Sequence, residues 1–193
     1  MNITVLATLA SAAALAAGIG IAAPASATGT TEVTLVVRGC EGCTVGMVRA
    51  LSTDGNVKPS RPQFWEGGSA KVSNGRVAFS IPTDITSGVS FTISAPWEGN
   101  TGRVSNIILG DGAQGGQRLT ATQAKDRRRA TACWAGTSAA MVTIRVSVAR
   151  VKVQGIGGPA TAALVWANPS VSTTGPLDST EKGTLGNQDA YYC

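Results

Sequence analysis

Histidine is absent from this sequence of 193 residues. Its absence excludes Ser-His-Asp and Cys-His catalysis and any metal site with a histidine ligand. Chemistry by carboxylates alone survives, but the 11 Asp and Glu residues are scattered and offer no obvious pair of the kind that glycosidases use. The sequence therefore argues against an enzyme, and it predicts neither a cofactor nor a metal ion.

Long apolar runs are also scarce, and the only one lies at the N-terminus. Residues 3–23 carry no charge, and the small-x-small triplet Ala25-Ser26-Ala27 that follows is the pattern cut by signal peptidase. We therefore expect a signal peptide over residues 1–27 and one domain over residues 28–193. A membrane anchor is the alternative, because the run is about long enough to span a bilayer. The first two residues lack the usual positive charge, but the polar segment after the triplet favours cleavage and a secreted protein.

Acidic residues are outnumbered, and the net charge is +5. This excess permits contact with anionic cell-wall polymers, although mild basicity also serves solubility alone. The one run of charges, Arg127-Arg128-Arg129, is a candidate anion-binding site. The alternative is that these residues end a short helix, where their charges complement its dipole and stay in water. No aromatic residue is interleaved with the run, so nucleic acid is not an expected partner.

Cysteines number only four, and all lie in the predicted mature domain. An even number in an exported protein predicts disulfides. Cys40 and Cys43 flank a two-residue turn and can bridge locally, which leaves Cys133 to pair with Cys193. A zinc site or a redox centre is the alternative use of a C-x-x-C pair. Neither is favoured, because there is a single such pair, no histidine, and a poor helix-forming sequence after it.

What the sequence does contain is a rhythm of short Val, Ile and Thr runs between Gly, Pro, Asn and Ser. This rhythm predicts an all-β fold, a single antiparallel two-sheet sandwich. Asn74-Gly75 is the strongest hairpin signal, because both residues tolerate the positive φ of a type I′ turn. In the long strand predicted over residues 141–154, the apolar residues change from even to odd positions. That change predicts a β-bulge or a crossing between sheets near Ala149-Arg150.

One segment departs from this rhythm. Thr120 and Gln123 have the spacing of a capping box, and the residues after them are not β-branched. The sequence therefore predicts one short helix over residues 120–129.

The tripeptide Trp-Glu-Gly occurs twice, at residues 65–67 and 97–99, in segments that we predict to be loops. A Trp ring beside a carboxylate and an amide suits a sugar, because the ring covers its apolar face while the polar groups take its hydroxyls. The candidate ligand-binding residues are Trp65, Glu66, Trp97, Glu98 and Asn100. We favour the alternative that each Trp caps one end of the core while each Glu stays in water.

Four segments together resemble a family of small secreted proteins of actinobacteria. They read G-C-E-G-C-T-V (39–45), A-P-W-E-G-N-T-G (95–102), A-C-W-A-G-T (132–137) and G-N-Q-D-A-Y-Y-C (186–193). The likeness runs through most of residues 28–193. It implies export, one domain and paired cysteines. The family has no assigned activity, so the resemblance carries over no catalytic residue.

The function predicted from these features is that of a secreted non-enzymatic protein that binds the cell envelope or an extracellular partner protein. The alternative is a carbohydrate-binding or carboxylate-only carbohydrate-acting protein that uses the Trp-Glu-Gly segments. The two differ in one respect that a structure reveals. A glycan site needs Trp65 or Trp97 exposed in a concave surface with a carboxylate alongside.

Overall fold

A computed structural model describes residues 29–51, 63–102, 104–112, 114–126, 129–174, 178–179 and 191–193. The predicted signal peptide lies outside the described residues. Within them, the helical elements are two three-residue 3-10 turns and the rest of the regular structure is β-strand, which confirms the all-β prediction. No helix in this part of the chain is long and apolar enough to cross a membrane.

The described strands are numbered in chain order. They are β1 (Thr30–Arg38), β2 (Thr44–Leu51), β3 (Gln63–Lys71), β4 (Arg76–Pro82), β5 (Ser90–Ser94), β6 (Ser105–Asn106), β7 (Gly110–Asp111), β8 (Ala130–Thr131), β9 (Met141–Gly155), β10 (Gly158–Ala167), β11 (Asp178–Ser179) and β12 (Tyr191–Tyr192). The 3-10 turns cover Thr83–Ile85 and Gln123–Lys125.

Two four-stranded sheets enclose the main core. The first sheet has the order β10-β9-β1-β4 and the second has the order β3-β2-β5-β6. In β1, every second residue from Thr31 to Val37 is buried, as expected for a strand with one face on a core. Apolar residues of both sheets, Leu35 and Phe91 among them, belong to one buried cluster, so the sheets pack face to face. One pairing departs from the antiparallel prediction, because β1 and β9 run parallel.

The change of phase in β9 does not arise as we predicted. β9 pairs with β10 without a register shift and stays in the first sheet, so the bulge or crossing near Ala149-Arg150 is wrong. The even-numbered Ile144 and Val146 face the main core, whereas Val151 packs on a second cluster that covers the opposite face. The members of this second cluster are Ile108, Ala124, Ala130, Ala132 and Leu164. The apolar residues therefore change sides because the strand passes from one core to another.

Beyond Ser147, the last residue of β9 that pairs with β1, the β9–β10 hairpin continues without a β1 neighbour. After Val148, the even positions of β9 there are Arg150, Lys152 and Gln154, and all three are exposed. The face that is apolar inside the sandwich therefore becomes cationic where the hairpin leaves it.

The predicted helix is much shorter than residues 120–129. It is the single 3-10 turn Gln123–Lys125, whose N-cap residue Thr122 makes no side-chain cap hydrogen bond. The reciprocal hydrogen bonds of a capping box form between Thr120 and Gln123, as the spacing predicts. The Thr120 amide donates to the Gln123 side-chain oxygen at 3.0 Å, and the Gln123 amide donates to Thr120 Oγ1 at 3.2 Å. Because the turn ends before Asp126, Arg129 does not lie in the last turn of a helix, and Arg127 and Arg128 lie outside the described residues.

Both predicted disulfides are confirmed, Cys40–Cys43 and Cys133–Cys193. The first closes a tight turn whose Glu41 carboxylate accepts hydrogen bonds from the amides of Asn74 and Gly75, each at 3.0 Å. Asn74 and Gly75 have φ values of 53° and 69°, as a type I′ hairpin turn requires. The Glu41 side chain therefore connects the Cys40–Cys43 turn to the Asn74-Gly75 hairpin turn through these two hydrogen bonds.

Candidate functional site

The first Trp-Glu-Gly segment lies inside strand β3, so the prediction that it is a loop is wrong. Trp65 is paired with Arg49 and Glu66 with Val48. Successive side chains of a strand point to opposite faces. Trp65 is half-buried against the core, whereas Glu66 is exposed on the other side. The ring and the carboxylate therefore cannot line a single sugar site.

The second segment follows β5, at the opposite end of the second sheet from Trp65. Here Trp97 is half-buried and packs against the main core. The guanidinium carbon of Arg150 lies over its indole, 4.5 Å from the ring centroid, within the range of a cation–π contact. Trp97 therefore both covers the end of the core and holds an arginine in place.

Glu98 is engaged by the backbone on both sides. Its Oε2 accepts a hydrogen bond from the Ala95 amide and its Oε1 accepts one from the Ala163 amide, each at 2.7 Å. Ala163 belongs to β10, and the neighbouring Gly99 amide donates to the Thr161 carbonyl at 2.9 Å. The Glu98 side chain thus takes the place of a strand partner along the outer edge of β10. Our favoured alternative is that each Glu stays in water. It does not hold for Glu98, whereas Glu66 is exposed.

A cleft of about 360 Å³ lies between this loop and the β9–β10 turn, and we call it the Trp97 cleft. Its volume is within the range of small-molecule sites. Trp97, Glu98 and Asn100 all line it, so the structure brings three of the five predicted ligand-binding residues together. The other lining residues are Gly99, Lys152, Ile156, Gly157, Gly158, Pro159, Ala160 and Thr161.

Close backbone contact holds the two walls of the Trp97 cleft together. The Ile156 amide donates to the Asn100 carbonyl at 3.0 Å. Glycines make this approach possible: a Cβ on Gly155 would collide with that same carbonyl oxygen, and one on Gly99 would lie 3.2 Å from the Ala160 Cβ. The walls are therefore held by main-chain atoms, and the cleft exists before any ligand arrives.

The charge at the Trp97 cleft is set by β9. Lys152 Nζ donates to Thr161 Oγ1 at 3.0 Å, and Arg150 stands on Trp97. Among the described residues, neither cation has a carboxylate partner. The one acid in the lining, Glu98, has each of its oxygens on a backbone amide. Lys152 therefore lines the cleft, and Arg150, which is exposed and stacked on the Trp97 ring, places a second cation beside it.

The arginine run is only partly within the described residues, because Arg127 and Arg128 lie outside them. Arg129 Nε contacts Asp111 Oδ1 at 3.1 Å, although this ion pair is not aligned as a hydrogen bond. Asp111 is buried, and its Oδ2 accepts from Gln123 Nε2 at 3.1 Å. Arg129 therefore fastens β8 to β7. Anion binding by the run stays a prediction.

Sequence reasoning missed Arg150, Lys152 and Thr161. The signal for the two cations was present, because both occupy the even positions of β9 that carry Val upstream. When a cation occupies a strand position of the same parity as the buried residues before it, it marks the place where that face of the strand leaves the core. Thr161 gave no such signal, because its position opposite Lys152 depends on the register of the hairpin.

No group of three or more metal-ligating side chains occurs among the residues that the structure describes. Comparison with protein-family models, curated proteins and solved structures finds no match to this chain. The likeness to secreted actinobacterial proteins stays a prediction from the four sequence segments.

Proposed function

We propose that this protein is a secreted, non-enzymatic binding protein of the cell envelope, and that its Trp97 cleft binds an acidic sugar unit of an envelope polymer. One observation carries the proposal: Trp97 and Lys152 line a preformed cleft, Arg150 is stacked on the same indole, and neither cation has a carboxylate partner among the described residues. A sugar carboxylate would accept hydrogen bonds from both cations. The hydroxyl groups of the sugar would contact Asn100 and the main chain of the cleft walls.

Arg150 changes how the Trp97 indole would contribute to sugar binding. Because the guanidinium covers one face of Trp97, that face is not free to stack on a sugar ring. The ligand would contact a stacked pair, in which the Trp97 ring positions Arg150 and the Arg150 guanidinium donates hydrogen bonds to the ligand. This arrangement favours an anionic ligand over the neutral sugar that a bare indole would select.

Export is part of the proposal. The two disulfides are of the kind that persist in oxidising compartments, and the apolar N-terminal run with its Ala-Ser-Ala triplet supplies a signal for export.

Binding is favoured over hydrolysis by the carboxylates of the cleft. Glycosidases place two carboxyl groups roughly 5 to 9.5 Å apart across the scissile bond. Among the described residues, Glu98 is the only carboxylate that lines the Trp97 cleft, and both of its oxygens accept hydrogen bonds from amides. Moving Glu98 to act as an acid or a nucleophile would break the attachment of the loop to β10.

The test is a calorimetric titration with a short oligomer of a uronic acid and with its neutral counterpart of equal length. We expect the acidic oligomer to bind and the neutral one to bind at least ten-fold more weakly. Loss of both cations in an Arg150→Gln/Lys152→Gln variant should lower affinity by ten-fold or more, since hydrogen bonds to charged groups are worth about 1.5–3 kcal/mol each.

The matched control is Lys71→Gln, which removes an exposed cation of β3 that does not line the cleft. It should bind as the unaltered protein does. Equal binding of the acidic and neutral oligomers, or full affinity in the double variant with an unchanged melting temperature, would contradict the proposal.

A further inference from the structure

The outer side of the first sheet is covered by the second cluster over part of β9 and β10, and it carries exposed arginines on β1, β4 and the neighbouring part of β9. Val33, Leu35 and Val37 of β1 point into the core, so Val36 and Arg38 point outward. The pairings with β4 and β9 place Arg76 and Arg145 on either side of Val36 in a single row. Arg38 follows two residues along β1, beside Ser147. We call Arg38, Arg76 and Arg145 the arginine face.

The spacing of the arginine face follows from sheet geometry. Strands lie about 4.8 Å apart and residues rise about 3.3 Å each, which puts the Cα atoms of Arg76 and Arg145 roughly 10 Å apart. By the same spacings, Arg38 is roughly 8 Å from each of them. The three side chains therefore stand in a triangle on a sheet surface, not around a single point.

The charges of the arginine face are not neutralised by ion pairs. None of the three side chains has an ion pair or a hydrogen bond among the described residues. Among the described residues, two acids lie near the arginine face, one at the end of the sheet and one on its outer side. Glu41 has both oxygens on the Asn74 and Gly75 amides, and Glu32 lies six residues before Arg38. Three like charges on one surface repel each other, so the folded protein gains no stability from gathering them.

We propose that the arginine face binds a linear phosphodiester polymer of the cell envelope. A guanidinium matches a phosphate in shape and donates to it through two parallel hydrogen bonds. Three arginines spaced at roughly 8–10 Å suit successive charges along a chain better than one small anion. The surface is separate from the Trp97 cleft, because Arg145 and Arg150 occupy opposite faces of β9. The proposal therefore stands whether or not the cleft binds a sugar.

Other macromolecules fit the arginine face less well. A protein partner would need an apolar centre to pack against, and the outward residues nearest the arginines offer only Val36 and Ala78 beside Ser147. Single-stranded nucleic acid is held by aromatic side chains between the cations. The aromatic residue on this face is Trp166 of β10, which pairs with Ser147, is half-buried against the second cluster and does not lie between the arginines.

The experiment measures the affinity of the disulfide-bonded protein for synthetic poly(glycerol phosphate) at several NaCl concentrations. Each phosphate contact releases counterions, so log affinity should fall with log salt with a slope of about two in the unaltered protein. Each single Arg→Gln substitution in the arginine face should reduce that slope by roughly 0.7 to 1. The triple variant R38Q/R76Q/R145Q should lose the salt-dependent binding altogether.

Two further variants keep the outcome unambiguous. The triple R38K/R76K/R145K keeps the charge, so it should retain the salt slope while binding more weakly, because lysine lacks the two-pronged geometry. The cleft variant R150Q/K152Q should bind the polymer as before. A triple glutamine variant that melts normally and still binds would overturn the proposal. So would complete competition by inorganic phosphate at the same phosphate concentration, or equal binding of duplex DNA with the same arginine dependence.

Discussion

Replacing Glu98 with alanine tests the inference that this carboxylate fastens a loop to a strand. The substitution leaves the amides of Ala95 and Ala163 without their acceptor. Hydrogen bonds to a charged group contribute about 1.5–3 kcal/mol each, so two of them in a half-buried position predict a loss of about 3–4 kcal/mol. For a domain of this size, such a loss lowers the melting temperature by roughly 10 °C.

The chain supplies its own control for this measurement. Glu66 stands in the same Trp-Glu-Gly tripeptide but points outward from β3, so Glu66→Ala should change the free energy of unfolding by no more than about 0.5 kcal/mol. Urea denaturation of both variants, followed by Trp fluorescence, compares the two directly. Equal stability of Glu98→Ala and Glu66→Ala would refute the structural role of Glu98.

Two other substitutions have defined outcomes. Gly155→Ala should destabilise the protein by about 1–3 kcal/mol and weaken ligand binding, because the new methyl group collides with the Asn100 carbonyl; a stable variant with full affinity would contradict the geometry of the cleft wall. Cys193→Ser opens a loop with a sequence separation of 60 and should cost about 4 kcal/mol, whereas replacing Cys40 and Cys43 together opens a separation of 3 and should cost about 2 kcal/mol. Denaturation curves check both, and equal losses would argue against the loop-length account.

Features that depend on local residue chemistry were predictable from the sequence. Two residues between Cys40 and Cys43 define a turn that a disulfide can close, and the second disulfide follows from there being only four cysteines. Asn74-Gly75 adopts the positive φ values that its side chains permit. Alternating apolar residues in β1 specify a strand with one buried face, because the side-chain period of a strand is two.

Features that depend on distant partners were not predictable in the same way. The two Trp-Glu-Gly segments have the same three residues, yet one is in a strand and the other is a loop. Glu98 accepts a hydrogen bond from the amide of Ala163, which lies 65 positions further along the chain, and no local sequence pattern predicts that contact. Likewise, the parallel pairing of β1 with β9 and the second cluster behind Val151 result from tertiary packing. The site could be placed near Trp97 by sequence, but its cations required the register of the β9–β10 hairpin.

We propose that the Trp97 cleft is the ligand site of this protein. Amide NMR spectra recorded during a titration with a uronic acid oligomer test it most directly, because every backbone position reports separately. We expect saturable shifts at the indole N–H of Trp97 and at the amides of Gly99, Asn100 and Lys152, with none at Trp65 and Glu66. Saturable shifts centred on β3, with the Trp97 signals unmoved, would contradict it.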